Sequence, residues 1–439
     1  MSFVSFSYAK EINSDSILSG GKTTRIDETV NAFSKAAKNL PLQYRSLFKS
    51  SNKLFKTDWH NRPNKKFFGI GPTYNATSCI SCHVNDGRSI PPDIGKKVST
   101  GLVIMINNFD NNNINYGNKI DTKSIEGVKP EAIVNLKYES YSGFYLDGNH
   151  YNLIKPILKI KKYYFGKIKQ KIHGRVASSI IGLGLLESIS NEAIISWSDP
   201  EDKNNDGISG KVNTVYDPVN KKFSVGKFGW KASKASVRHQ VVSALYEDMG
   251  ITNSYFSKNR CPKIQENCNN QRLYNIEEAN EKIISDLTFY TSVIAVPARR
   301  NINNKIVKKG KKLFIKTGCD KCHLMQVKTG LNQNKKLSFL NNQTIQPFTD
   351  LLLHDLGKDL AEHTNEGTAK GNEWRTAPLW GLGLIEKVNG SLRLLHDGRA
   401  RSIEEAIIWH GGEAKNSKNK FIKMQKHDRE ALITFLKSL

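Results

Sequence analysis

The pattern Cys-x-x-Cys-His occurs twice in this sequence, as "SCISCH" at residues 78–83 and "GCDKCH" at residues 318–323. Two thiols at this spacing can close a disulfide, hold zinc or act as a redox pair. A histidine directly after the second thiol favours covalent haem, because the thiols bond the porphyrin edge while the imidazole reaches the iron. Zinc does not need that histidine, and the βαβ setting of a dithiol enzyme is not visible. The sequence therefore predicts two haem c groups, which would be bound by Cys79, Cys82 and His83 and by Cys319, Cys322 and His323.

Helices must place these motifs. Before the second motif, "KIVKKGKKLFIKT" has an amphipathic pattern that predicts a short helix running up to Gly318, where the chain turns. The C-terminal "DREALITFLKSL" predicts another helix, with Leu432, Phe435, Leu436 and Leu439 on one face. The first motif follows the apolar pattern of residues 47–55 and then a Gly/Pro/Asn-rich loop, which would place Cys79 at a helix start.

A helix before the haem turn and a packed helix at the end are typical of cytochrome c. We expect a mainly α fold of two cytochrome c-like haem domains with long loops, few strands and a large insertion after the first haem site. The expected divisions are an N-terminal segment 1–25, a haem domain 26–300 with an insertion at about 100–290, and a second haem domain 301–439.

The charge balance, with 66 Lys and Arg against 41 Asp and Glu, gives a net charge of +25. The lysines are spread along the chain, so we expect no nucleic-acid binding, although an acidic redox partner could dock on such a surface. No run approaches the roughly 18 apolar residues that a spanning helix needs, so no membrane span is expected. The short apolar start, "MSFVSFSYAK", could be the end of a secretory signal.

The remaining two cysteines, Cys261 and Cys268 in "CPKIQENC", have no following histidine. A disulfide is the favoured interpretation and would imply an oxidising compartment, whereas two free thiols are the alternative.

What occupies the sixth position of each iron decides between electron transfer and catalysis. In "RSIEEAIIWHGG", Ser402 and Glu405 form a capping-box pattern and a glycine pair ends the helix, which places His410 in the last turn. His410 is thus a candidate axial ligand; a surface histidine favoured by the helix dipole is the alternative. His354 and His396, each followed by Asp, are expected to have structural roles.

Arginine side chains match carboxylates, so haem propionates have three candidate partners: Arg375, Arg399 and Arg401.

The middle of the chain contains "DPEDKNNDGISG", in which Asp202, Asn204 and Asp206 alternate as in a calcium loop. The twelfth position is Asn213 instead of glutamate, and a solvated turn without an ion is the alternative. Nearby, "GRVASSIIGLGLLESIS" predicts an apolar helix with one acid, Glu187. Apolar surroundings would raise the pKa of Glu187 and suit it to acid/base catalysis, unless it points to water at the helix end.

With these motifs, the sequence resembles the bacterial di-haem oxidoreductase (putative peroxidase) family, distant relatives of the di-haem cytochrome c peroxidases. The resemblance runs through "GIGPTYNATSCISCH", "GRVASSIIGLGLLE", "DGISG", "KFGWKA", "DMGIT", "GCDKCH", "PFTDLLLHDLG", "EWRTAPLWGLGL" and "LHDGRARSIEEAIIWHGGEA". In those peroxidases, the methionine that ligates the electron-transferring haem stands fourteen residues after the histidine of an HDG motif. Here that position, counted from His396, is His410. The resemblance therefore implies a His323/His410 iron of lower potential than a His/Met pair.

The resemblance also implies different roles for the two haems. The His83 haem would react with peroxide or a related small oxidant, and the His323/His410 haem would relay electrons from a small cytochrome or cupredoxin. Bis-histidine ligation departs from the high-potential haem of the peroxidases, so two rivals stay open: a non-catalytic electron carrier, and an oxidase of a partner protein or thiol. Haem is attached to such motifs outside the bacterial cytoplasm, which predicts a periplasmic protein.

Overall fold

A computed structural model describes residues 16–61, 67–93, 95–98, 100–106, 115–258, 260–271 and 277–439. The short apolar start at residues 1–10 lies outside the described residues. Helix accounts for 31% and strand for 19% of the structure, in several small sheets. The prediction of a mainly α fold is therefore wrong, and the protein is mixed α/β. Within the described ranges, every helix is too short or too polar to traverse a lipid bilayer.

The α-helices of the described ranges are α1 (Arg45–Lys56), α2 (Leu183–Glu187), α3 (Asn191–Ser196), α4 (Val237–Met249), α5 (Glu266–Asn270), α6 (Glu281–Val293), α7 (Lys305–Thr317), α8 (Ile385–Asn389), α9 (Ile403–Trp409), α10 (Lys415–Ile422) and α11 (Lys426–Ser438). The strands are β1 (Thr73–Tyr74), β2 (Val103–Ile106), β3 (Lys119–Ile120), β4 (Lys123–Ser124), β5 (Ala132–Phe144), β6 (His150–Tyr163), β7 (Ile172–Arg175), β8 (Thr214–Asp217), β9 (Lys222–Val225), β10 (Val327–Lys328), β11 (Thr344–Ile345), β12 (Leu353–Asp355) and β13 (Glu373–Arg375).

The strands pair as small antiparallel sheets. One sheet has three strands in the order β3-β2-β7, and the others are the pairs β1-β4, β5-β6, β8-β9, β10-β11 and β12-β13. Most of the strand content therefore lies between the two Cys-x-x-Cys-His motifs, in the segment expected to be an insertion in a mainly α fold.

The long hairpin β5-β6 explains the error. Its register runs from Ala132 opposite Tyr163 to Phe144 opposite His150. At the start of β5, Ala132, Val134 and Leu136 are buried, and the residues between them are less so. This alternation, with many β-branched and aromatic side chains, is the period-2 signal of a half-buried strand.

The tip of this hairpin contacts the C-terminal helices. The Tyr145 hydroxyl donates to Glu404 Oε1 at 2.7 Å, and the Arg429 guanidinium lies 3.8 Å from the centroid of the Tyr145 ring. Arg429 also pairs with Asp147 at 2.9 Å. The hairpin thus joins the middle of the chain to its end.

The helix pair α7 and α11 packs closely, as the sequence predicts for its two amphipathic segments. At the crossing, a Cβ on Gly310 would lie only 2.0 Å from the Ala431 carbonyl oxygen, so only glycine allows this approach. Phe314 on α7 and Phe435 on α11 are both buried, with ring centroids 5.4 Å apart.

The main apolar core contains buried residues from Ala32 to Leu439, and so includes side chains from both haem-motif regions. A second cluster, built on Ile104, Ile120, Val134 and Leu136, lies under β2, β3 and β5. The predicted domain boundaries stay a prediction.

Candidate haem sites

The first motif forms a tight turn. A 3₁₀ helix spans Cys79–Ser81, and the His83 backbone N–H donates to the Cys79 carbonyl at 3.0 Å. Cys79 and Cys82 are free thiols. His83 Nδ1 lies 2.8 Å from the Ser178 carbonyl oxygen. Since a carbonyl only accepts hydrogen bonds, Nδ1 carries the proton and Nε2 keeps its lone pair for a metal.

A cavity of about 1360 Å³ adjoins this motif, and Cys79, Cys82 and His83 are among the residues that line it. Apolar lining comes from Phe55, Ile180, Leu183, Leu287, Trp380 and Ile385. Burial lowers the pKa of His83, which keeps its imidazole neutral and able to ligate. Two free thiols, an available imidazole nitrogen and an adjoining cavity fit a covalently attached haem.

Two buried arginines in the cavity wall strengthen this fit. Arg88 Nη2 donates to the Leu395 carbonyl at 2.6 Å, and Arg375 Nε donates to the Gly229 carbonyl at 2.8 Å. Neither has a carboxylate within ion-pair distance among the described residues, and burial lowers the pKa of both. A buried cation is costly without a counter-charge, so the two guanidinium groups suit haem propionates. Arg375 was a sequence candidate for that role, whereas Arg88 was missed because nothing in its sequence context marks it.

The second motif follows α7 as the sequence predicts. The helix ends at Gly318, whose φ of +86° is the left-handed conformation that glycine favours, and a 3₁₀ helix then spans Cys319–Lys321. Cys319 and Cys322 are free thiols. His323 Nδ1 lies 2.8 Å from the Phe348 carbonyl oxygen, so its Nε2 is also left for a metal.

His410 is the residue that caps the C-terminus of α9, one position beyond the helix. The Ser402 hydroxyl accepts a hydrogen bond from the Glu405 backbone N–H at 3.0 Å, as the capping-box pattern predicts. His410 Nδ1 lies 2.6 Å from the Ala406 carbonyl oxygen, the same arrangement as in the two motif histidines. Burial, opposed by the hydrogen bond to Phe348 and assisted by the charge of His410, lowers the pKa of His323 to about 4. The two imidazoles therefore lie within electrostatic reach of each other.

A family model described as "Di-haem oxidoreductase, putative peroxidase" matches residues 13–107 and 113–439. The chain belongs to this di-haem oxidoreductase family. Comparisons with curated proteins and with solved structures found no match. The family description implies haem, and the two Cys-x-x-Cys-His turns of this di-haem oxidoreductase each offer the groups that such a cofactor needs.

His354 lies beside the second haem site of the oxidoreductase without a free ring nitrogen. Its Nε2 is 2.8 Å from Asp350 Oδ2, and its Nδ1 is 2.7 Å from Glu413 Oε2. Burial lowers the pKa of His354, but the bonds to these carboxylates and to Cys322 raise it well above its usual value. Cys322, Asp350 and His354 lie close enough to hold a metal ion, but a thioether at Cys322 would remove one of these ligands.

His396, of the HDG motif, stacks on Trp374 with ring centroids 3.7 Å apart. Burial lowers its pKa well below the usual value. The structural roles expected for His354 and His396 stay a prediction.

Arg399 and Arg401 already have carboxylate partners. Arg399 is buried and pairs with Asp397 at 2.7 Å, with its guanidinium 4.6 Å from the centroid of Trp409. Arg401 pairs with Glu405 at 2.6 Å. Neither is among the residues that line the cavity. The structure therefore supports a propionate contact for Arg375 more than for Arg399 or Arg401.

The predicted calcium loop is held by its own hydrogen bonds. Asp202 accepts from the Asp206 backbone N–H at 2.9 Å and from the Gly207 N–H at 3.0 Å, and Asn204 Oδ1 accepts from the Asp206 N–H at 2.9 Å. Asp206 Oδ2 lies 3.0 Å from Lys321 Nζ. Calcium stays a prediction for this loop, and an ion bound through Asp206 Oδ2 would have to displace the ammonium group of Lys321.

Glu187 ends α2, and its Oε1 accepts from the Val237 backbone N–H, the first of α4, at 2.7 Å. Burial raises its pKa, as the sequence predicts. Leu186 and Val237 line the cavity, but Glu187 is not among the lining residues. Its contacts are those of a carboxylate that caps the start of α4.

Another acid, which no sequence motif marks, does line the cavity. Glu131 is buried and accepts from the Asp121 backbone N–H at 2.6 Å and from Gln265 Nε2 at 2.7 Å. Burial, and then the charge of Asp121, raise its pKa. Its neighbour Asp121 pairs with Arg260. No motif surrounds Glu131, so only the fold brings it to the cavity.

Gln265 belongs to a loop closed by the Cys261–Cys268 disulfide, which the structure contains as the sequence predicts. Arg260 directly precedes this loop. The disulfide therefore holds together the segment that supplies partners to both Asp121 and Glu131.

Proposed function

We propose that this di-haem oxidoreductase carries haem c on each Cys-x-x-Cys-His turn and reduces peroxide or a related small oxidant. Family membership supports the reaction class. The free thiols of both turns, each next to a histidine whose Nδ1 is held by a carbonyl, support covalent attachment. Haem bound at these turns would supply the one-electron chemistry.

The two sites have different tasks in this proposal. The observation that carries it is that His83 lines a cavity of about 1360 Å³, whereas His323 is not among the residues that line this cavity. The His83 site receives the oxidant. The His323/His410 site receives electrons from a donor and passes them on. A small cytochrome or cupredoxin is the donor class.

Reduction of one peroxide to two waters takes two electrons and two protons, so the cavity needs a proton source. Glu131 lines the cavity, and its raised pKa keeps a proton on it near neutral pH. Glu187, the candidate from sequence, also has a raised pKa but hydrogen-bonds the start of α4. We assign the proton to Glu131 and keep Glu187 as the second candidate.

A periplasmic location is part of the proposal. The Cys261–Cys268 disulfide is stable in an oxidising compartment, and covalent haem attachment takes place there in bacteria. Secretion would be checked by fractionating cells that produce the full chain with the haem-attachment machinery.

The test is an electronic spectrum of the holoprotein with and without hydrogen peroxide, followed by turnover with a small artificial donor. We expect two covalently bound haems by mass, one of which is high-spin or weakly ligated and changes with cyanide. Replacement of both Cys79 and Cys82 by alanine should remove that haem and the turnover. Two low-spin haems that do not respond to cyanide or peroxide would instead identify an electron carrier. Turnover that requires a protein or thiol substrate would identify the oxidase alternative.

A further inference from the structure

The lysines around the second haem site are concentrated in two segments. Residues 305–323 and 415–426 contain 12 lysines and a single acid, Asp320, while the whole chain has 66 basic and 41 acidic residues. Residues 155–171 have a comparable density, with seven lysines and no acid, so the density alone is not distinctive. What distinguishes the two segments is their position beside the thiols and the histidine that would bind haem.

These segments meet in the fold. The Ser417 hydroxyl at the start of α10 donates to the Thr317 carbonyl at the end of α7, at 2.9 Å. Lys321 stands inside the second motif itself. Lys418 lies on α10, eight residues after His410 along the chain. We call seven lysines of these two segments the basic face: Lys312, Lys316, Lys321, Lys415, Lys418, Lys420 and Lys423.

Most of the basic face is exposed and available. All of its lysines are exposed except the half-buried Lys418. Among the described residues, an ion pair is recorded for Lys321, with Asp206, and none for Lys312, Lys316 or Lys420. Five acids of the described residues lie close by: Asp206 beside Lys321, Asp320 in the motif, Glu413 two residues before Lys415, Asp428, which pairs with Lys309, and Asp359, whose charge acts on Lys418.

We infer that the basic face is the docking surface for an acidic electron-transfer protein, which delivers electrons to the His323/His410 site. This inference rests on the proposed function, because it names the partner class of its electron-receiving site. Complementary charge would orient the partner over the turn that holds Cys319 and Cys322. Charge of this kind accelerates encounter and sets the partner's orientation, and salt weakens it. One electron leaves the partner and one enters the site in each encounter.

The experiment uses the full holoprotein and a small acidic monohaem cytochrome c as the probe. The face variant is the triple change Lys312→Glu, Lys316→Glu and Lys420→Glu. The matched control is Lys159→Glu, Lys161→Glu and Lys169→Glu, which reverses three exposed lysines in and after β6 and changes the net charge equally. The dissociation constant with both proteins oxidised, measured by calorimetry at several salt concentrations, reports binding without turnover. The rate of reduction by the cytochrome is measured by stopped flow.

We expect the face variant to weaken binding and slow reduction by about tenfold or more at low salt, with little difference from wild type at high salt. The control should change both by less than about threefold, which corresponds to general charge alone. Equal losses in both triple variants, or binding of a basic cytochrome as tight as that of the acidic one, would overturn the docking surface. Tight salt-dependent binding of duplex DNA to the basic face, without binding of the cytochrome, would also overturn it.

The two proposals can fail separately. Peroxide turnover with a small artificial donor tests the His83 site without the basic face. If that turnover is present and the face variant behaves like its control, the docking surface is wrong and the proposed function stands. If the face variant loses the cytochrome but peroxide is not reduced, the docking surface stands and the peroxidase reaction is wrong.

Discussion

Lys321 Nζ lies 3.0 Å from Asp206 Oδ2, which joins the second haem turn to the loop predicted to bind calcium. The loop carboxylates otherwise accept hydrogen bonds from their own backbone. An ammonium group and a calcium ion would compete for the same oxygen, so the haem turn and the loop are not independent.

This contact predicts the effect of Lys321→Met on calcium binding. Removing the ammonium frees Asp206 Oδ2, and an exposed pair of this kind is worth about 0.2–1 kcal/mol. If the loop binds calcium, the affinity should rise by about two- to fivefold, as measured by calorimetric titration of the holoprotein. Lys203→Met, which changes an exposed lysine of the same loop paired with Glu201, is the control. If calcium produces no heat of binding with the wild type, Lys321→Met or Lys203→Met, the loop is a solvated turn that binds no calcium.

Replacing His410 should change the second haem site alone. Methionine at this position would substitute a thioether for imidazole and raise the reduction potential of that haem. Spectroelectrochemical titration would show one potential shifted upward and the other unchanged. His427→Met alters an exposed histidine, whose side chain is 68% accessible, and should leave both potentials as they are. A His410→Met protein with wild-type potentials would exclude His410 as a ligand.

Glu131→Gln and Glu187→Ala separate the two candidate acids. Loss of a general acid costs about 10²-fold or more in rate, so Glu131→Gln should lower peroxide turnover by that order. The activity of the wild type should fall as the pH rises through the raised pKa of Glu131, and this limb should disappear in the variant. Steady-state rates between pH 5 and 10 would show it.

Glu187→Ala should instead lower stability by about 1 kcal/mol, because the Val237 N–H at the start of α4 loses its acceptor. Its turnover should stay near the wild-type value. The reverse outcome, with unchanged stability and a large loss of turnover, would restore Glu187 as the catalytic acid.

The ion pair of Glu366 with Arg175 predicts a loss of stability in acid. Burial raises the pKa of Glu366, but the Arg175 charge and hydrogen bonds outweigh it and hold the pKa at about 2, below the ordinary 4.5. A carboxylate whose pKa is depressed in the fold stabilises the fold above pH 4.5, and this stabilisation is lost as the pH falls toward 2. The stabilisation is on the order of 3 kcal/mol, because each unit of pKa corresponds to about 1.36 kcal/mol.

Thermal unfolding between pH 2 and 7 would measure this contribution. Glu366→Gln should be less stable than wild type at neutral pH and should lose less on acidification. Glu430→Gln removes a largely exposed carboxylate and serves as the control. Parallel pH profiles for wild type and Glu366→Gln would contradict the assignment.

The contacts of the hairpin tip predict that alanine variants of two neighbouring aromatic residues differ in stability. Tyr145 is buried between Arg429 and Glu404, whereas Phe144 is 68% exposed. Tyr145→Ala should cost roughly 3 kcal/mol and Phe144→Ala less than about 1 kcal/mol. Urea unfolding would compare them, and equal effects would mean that the tip does not hold the C-terminal helices.

The sequence identifies the features that depend on local pattern. The helix before Gly318, the cap at Ser402 and the final helix are all encoded by spacing within a few residues, and the structure contains them. The strands β5 and β6 also had a local signal in their alternation, which the expectation of a haem-organised helical fold overrode. Arg88 and Glu131 could not be predicted, because their role depends on distant partners such as Leu395 and Gln265.

The shared core has a consequence for how the chain can be divided. Buried side chains from Ala32 to Leu439 belong to one contiguous apolar cluster, and the β5-β6 tip is bonded to the C-terminal helices. Cutting the chain between the two haem turns would expose apolar surface on both fragments. Neither fragment is expected to fold cooperatively by itself, so evolution or engineering would have to exchange the two Cys-x-x-Cys-His turns together.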